Sequence, residues 1–89
     1  MGVFLNGEVA VGVTPTLIAT VQLSGAAILV ANLDAVQTIF VGGPNVTTAT
    51  GFPIAKGTSV PIPCVGGQTH DLYGIVAATT ANAAWIQPA

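Results

Sequence analysis

Hydrophobic positions along this chain recur every second residue, in short bursts separated by glycine and proline. Val60, Ile62 and Cys64 alternate with Pro61 and Pro63. Period two sends one row of side chains inward and the other outward, the pattern of a half-buried strand. Proline has no N–H to give a ladder, so residues 58–65 are predicted to form a strand on a sheet edge. Val9, Val11 and Val13 alternate with Ala10 and Gly12, and Leu17, Ala19, Val21 and Leu23 alternate with Thr16, Ile18, Thr20 and Gln22. These read as two further strands, the second with one mostly polar face. Residues 26–33, AAILVANL, form a continuous apolar run whose length suits a strand buried on both faces. Residues 36–41 follow with Val36, Thr38 and Phe40 on one face and Gln37, Ile39 and Val41 on the other. With Asp34 and Ala35 as the turn, these two strands are predicted to pair as a central antiparallel hairpin.

Residues 46–50 read as an extended, threonine-rich connector. Phe52 precedes Pro53 and is therefore extended as well; it shares a side with Ile54, and both are expected to plug the core. Ala55, Lys56 and Gly57 make a tight turn. Residues 71–78 and 83–87 complete the strands, joined by the polar loop 79–82. Ser24-Gly25, Gly42-Gly43 and Gly66-Gly67 punctuate the chain. No stretch has helical periodicity with caps. The expected fold is all-β, a small antiparallel β-sandwich or barrel of about seven short strands. Residues 1–8 are expected to form an N-terminal arm and residues 9–89 a single β-sandwich domain.

Composition changes this picture in one respect. Only 4% of the 89 residues are charged, against about 25% in an ordinary soluble domain. The charges are Glu8, Asp34, Asp71 and Lys56, with His70 as the one histidine. Depletion of charge is what interface cores show, and a chain this short buries limited surface alone. A homo-oligomer, or docking on another surface, is therefore expected. A single Lys cannot neutralise a phosphate backbone, so no nucleic acid is expected as a partner. Residues 9–33 carry no charge, but Pro15, Gln22 and several glycines and threonines interrupt them. No membrane span is expected. Nor is a signal peptide, because no basic region opens the chain and Asn6, Gly7 and Glu8 break its first apolar run.

Candidate chemistry is sparse. Cys64 with His70 and Asp71 is the one group resembling a nucleophile with its base. Cys64 falls on the inward row, where a free cysteine acts as a small hydrophobe. No catalytic residue, no cofactor and no metal site is expected, since a zinc site needs three or four ligands. Asn45-Val46-Thr47 matches a glycosylation sequon, more simply read as turn and strand residues. Trp85, Tyr73 and Phe40 would make a carbohydrate platform if they were exposed.

The order of several short motifs carries a resemblance. Asn32-Leu33 leads to a strand closing in Val41-Gly42-Gly43. The segment Val46-Thr47-Thr48-Ala49-Thr50-Gly51-Phe52-Pro53-Ile54 follows, then Lys56-Gly57, and late in the chain Asp71-Leu72-Tyr73-Gly74-Ile75. This arrangement, covering roughly residues 26–86, resembles a small bacteriophage virion β-module found in capsid decoration (minor head) proteins and head-fibre-like domains. The resemblance implies a structural subunit on the capsid surface of the virion, with the major capsid protein as partner and homo-oligomers around a local symmetry axis. It implies no enzyme and transfers no catalytic residue. Its alternative is a phage fibre or a receptor- and glycan-binding module. Interface residues are expected in the arm, at Val3, Phe4 and Leu5, and in the threonine segment, at Val46, Thr47, Thr48 and Phe52.

Overall fold

The described residues form eight strands and no helix: β1 (Phe4–Val11), β2 (Thr16–Val21), β3 (Ile28–Asn32), β4 (Ile39–Gly42), β5 (Phe52–Ile54), β6 (Ser59–Ile62), β7 (His70–Ile75) and β8 (Ala81–Pro88). The computed structural model describes residues 3–21, 27–63 and 69–88. Two four-stranded sheets result, in the orders β1-β8-β3-β6 and β2-β7-β4-β5, with every pair antiparallel. The fold is thus the expected all-β sandwich, with eight strands rather than about seven. The turns expected at Ser24-Gly25 and Gly66-Gly67, and the inward placement of Cys64, lie outside the described residues.

The core is the space between the sheets. Ile28 and Val30 of β3, Ile39 and Val41 of β4, Ile54 of β5 and Val11 of β1 are all buried there. Branched residues dominate because they pack well on a pleated surface and are stiff at χ1. Trp85 lies against the edge of this core. It faces Gly7 across the β1–β8 pair, and a Cβ on Gly7 would come within 3.0 Å of its indole nitrogen.

The edges follow the proline pattern. β6 pairs with β3 alone and carries Pro61 at the edge of its sheet, as predicted. β5 closes the other sheet on the same side and carries Pro53. The tight turn at 55–57 is also present: the Thr58 amide donates to the Ala55 carbonyl at 3.1 Å, and Gly57 has φ +68°. That left-handed conformation suits glycine.

Five expectations are corrected. β3 and β4 do not pair; they belong to opposite sheets. Residues 33–38 are a crossover held by side chains rather than a hairpin turn. Buried Asn32 donates from Nδ2 to the carbonyls of Gln37 (2.8 Å) and Ile54 (2.9 Å), and its Oδ1 accepts the Asp34 amide at 2.9 Å. β3 is also buried on one face only: Leu29, between buried Ile28 and Val30, is 42% exposed. Residues 4–8, expected within an N-terminal arm, are instead the first five residues of β1, paired with β8 from Phe4↔Pro88 onward. Residues 46–50 are not extended. Thr47 Oγ1 accepts the amides of Ala49 and Thr50, and Gly51 N–H closes on the Thr47 carbonyl at 2.9 Å, which coils the segment into one capped turn. Finally, Ile18 does not share a polar face with Thr16 and Thr20. The β2–β7 register shifts between Leu17 and Ala19, and this bulge turns both Ile18 and Ala19 into the core.

Candidate functional site

The most coherent surface is the outer face of the β1-β8-β3-β6 sheet. Strand pairing builds it in rows. Asn6, Ile86, Leu29 and Pro61 stand side by side across the four strands, and the next row is Glu8, Ala84, Ala31 and Ser59. Phe4 faces Pro88 at one end and Ala10 faces Asn82 at the other. Because side chains alternate along each strand, the residues between these on each strand turn toward the core and the rows themselves face outward. Leu29, Ile86, Ala31 and Ala84, together with Trp85, line a shallow apolar depression. Glu8 is the one charge on these rows and stands on the edge strand. With strand and residue spacings of about 4.8 and 3.3 Å, the face measures roughly 400 Å². Its apolar part, formed by Ile86, Leu29, Pro61, Ala84 and Ala31, is contiguous across three strands, and contiguous rather than scattered apolar exposure marks a contact site.

A second apolar feature opens at the proline side of the sandwich. Val41, Gly42, Phe52, Pro61, Ile62, Pro63 and Leu72 line a cleft of about 290 Å³ between β6 and the β4-β5-β7 side. Phe52 lies on the rim, 60% exposed, while Ile54 alone enters the core. The expectation that both plug the core is corrected accordingly: β5 is short, and Phe52 pairs with Val41 where the two sheets part.

The predicted interface residues do not converge. β1 stacks against β2, so Val3, Phe4 and Leu5 mark one lateral side of the sandwich. Phe52 and the threonine turn mark the other. Val3 and Phe4 are exposed and Leu5 is half-buried. Val46 is buried and cannot meet a partner; it packs on Gly42 and Gly51 over the outer face of the second sheet. Thr47 and Thr48 are exposed, with the Thr47 hydroxyl already engaged in the turn.

The remaining chemistry is structural. His70 and Asp71 are neighbours on β7 and point to opposite faces. Asp71 accepts the Thr20 hydroxyl at 2.8 Å, and the buried His70 Nε2 has no hydrogen-bond partner among the described residues. Trp85 packs on the core and Tyr73 and Phe40 are half-buried, so no open aromatic platform forms. No cluster of three His, Cys, Asp or Glu side chains occurs among the described residues. At the end of the sandwich carrying residues 33–38 and 76–80, Asp34 Oδ2 accepts the amides of Gln37 (2.6 Å) and Val36 (2.9 Å). These two bonds hold the Asp34 carboxyl below its ordinary pKa. Gln37 in turn donates to Thr79 Oγ1 and the Thr80 carbonyl and accepts the Ala78 amide. That clamp holds Thr79 at φ +54°, a conformation uncommon for a β-branched residue.

The outer-face residues Leu29, Ile86, Ala31 and Ala84 were invisible as a site in the sequence. Leu29 sits inside a run that is apolar throughout, and only strand pairing places it beside Ile86. Fold and surface together define a class: an antiparallel β-sandwich presenting a nearly uncharged sheet face. Comparison with known protein families, with curated proteins and with solved structures finds no match for this chain. No helix among the described residues is long and apolar enough to cross a membrane.

Proposed function

We propose that the protein is a structural virion subunit, a capsid decoration or minor capsid protein that docks on the major capsid protein of a phage head and stabilises the shell as a homo-oligomer. One observation carries the reading: the outer face of the β1-β8-β3-β6 sheet, where Leu29, Ile86 and Pro61 adjoin across three strands with no charge between them. Such a face gains from being covered, at about 25 cal/mol for each Å² of apolar surface removed from water. A subunit bound to the assembled shell and not to its loose parts stabilises that shell by mass action. The motif order from Asn32 to Ile75 supports the virion assignment. The exposed Phe4 at the end of β1 extends the same face.

The experiment is co-sedimentation with DNA-filled heads, comparing wild type with Leu29→Glu and Ile86→Glu. Both sites are solvent-facing, so the fold is expected to survive, and circular dichroism checks this. Stoichiometric binding to capsomers that either substitution lowers at least tenfold is the expected result. A few copies confined to the tail, or binding untouched by both variants, would contradict the proposal.

A further inference from the structure

We propose that the open edge of β1 pairs antiparallel with β1 of a second copy, joining two β1-β8-β3-β6 sheets into one continuous sheet across a two-fold axis. The four sheet edges are not equivalent. β5 and β6 carry Pro53 and Pro61, and Pro63 follows β6 directly. β2 has six residues interrupted by a bulge. Proline and bulges are among the devices by which sheet edges are kept from pairing. β1 has neither, and Glu8 is its one charge. The strand is eight residues long, contains no proline, runs in unbroken register along β8 and, among the described residues, has no strand on its other side. An edge of that kind is a template for another strand. Because the copies are identical, the natural occupant is β1 itself in an isologous, self-closing pair.

The sequence of β1 also sets the register. Opposed residues must share a face, so the two-fold passes through a residue rather than between two. Centring on Glu8 would oppose the two Glu8 carboxylates, an unfavourable cross-strand pair. Centring on Gly7 pairs residues 4–10 of the strand and places Glu8 opposite the second copy's Asn6. It also sets Leu5 opposite Val9 and lays exposed Phe4 over the small exposed Ala10. The outer face thereby continues across the two-fold, with Asn6 and Glu8 of both copies at the seam. This pairing deepens the self-association in the proposed function but does not depend on the virion assignment. Dimers that ignore phage heads would overturn that assignment alone.

Sedimentation equilibrium across protein concentrations, on the full chain, tests the arrangement. Asn6 is exposed and outward-facing, so charge placed there leaves the core untouched. Asn6→Lys is expected to tighten the dimer, because each new ammonium faces a Glu8 carboxylate. Asn6→Glu is expected to loosen it, and adding Glu8→Lys to Asn6→Glu restores it. Two symmetry-related pairs change the dissociation constant by about two- to thirtyfold in each direction. Phe4→Ser is expected to weaken the dimer without unfolding the monomer, read by circular dichroism. A wild-type chain that stays monomeric to millimolar concentration overturns the proposal. So does an Asn6→Lys variant that matches or weakens the wild-type dimer, or an Asn6→Glu variant that matches it.

Discussion

Asn32 offers the sharpest test of how this sandwich is held. It is 1% exposed, at the end of β3, where the chain leaves one sheet for the other. Its two amide hydrogens go to the Gln37 and Ile54 carbonyls, its Oδ1 takes the Asp34 amide, and its own amide and carbonyl pair with Thr58 and Gly57. One side chain therefore ties β3 to the approach to β4 and to the end of β5. Asn32→Ala strands three polar partners. The Ile54 carbonyl is buried and pays the full desolvation cost, about 2 kcal/mol, while the part-buried Gln37 carbonyl and Asp34 amide reach water and lose about 1 kcal/mol each. The expected loss is about 4 kcal/mol, against a total stability of roughly 4–13 kcal/mol for a chain of this length. Asn32→Asp retains the acceptor for the Asp34 amide but turns a carboxylate toward two carbonyl oxygens. It is expected to be worse than Asn32→Ala at pH 7 and to recover in part once acid restores a donor. Urea unfolding at fixed protein concentration, followed by the fluorescence of Trp85, the single tryptophan, measures both. A loss below about 1 kcal/mol for Asn32→Ala, with an unchanged denaturant slope, would refute the reasoning.

Two further outcomes are expected. Gly51→Ala would bring a Cβ to 2.7 Å from Phe40 Cβ, 2.8 Å from Val46 Cγ2 and 3.1 Å from the Thr47 carbonyl; a loss of about 1–3 kcal/mol is expected, with hydrogen exchange accelerated over residues 43–51. The depressed pKa of Asp34 means that its contribution to stability is fully present above the unfolded carboxyl value of about 3.9 and disappears as pH falls through the lower folded value. Asp34→Asn keeps an acceptor without the charge, so the wild-type advantage in melting temperature at pH 7 is expected to shrink progressively as pH falls below the unfolded carboxyl value of about 3.9.

Much of the fold was legible because its signals are local. Alternation with prolines at 60–63 marked an edge strand, and Ala55, Lys56 and Gly57 marked a turn that only glycine completes without strain. Partner choice was not legible. Of the strands consecutive in sequence, β4 and β5 alone pair; every other link crosses between the sheets. The rule that neighbouring strands usually pair therefore misassigned β3 and β4. Their apolar runs are equally consistent with a hairpin, and what distinguishes the two is the three side-chain bonds of Asn32, which need Ile54 in place. The candidate site failed to show for the same reason. Leu29 reads as core within AAILVANL, and Ile86 as one apolar residue in a last strand.

The sequence by itself determined the class of structure: period-two patterning, glycine and proline spacing and the near absence of charge leave a small β protein with a neutral surface. Tertiary structure alone decided which sheet each strand joins, that Val46 is buried while Phe52 is exposed, and that Leu29 and Ile86 share a face. The physical reason is the range of the interactions. Backbone preference and turn chemistry act over a few residues and are written along the chain, whereas register, sheet membership and surface continuity arise from hydrogen bonds and contacts between segments far apart in it.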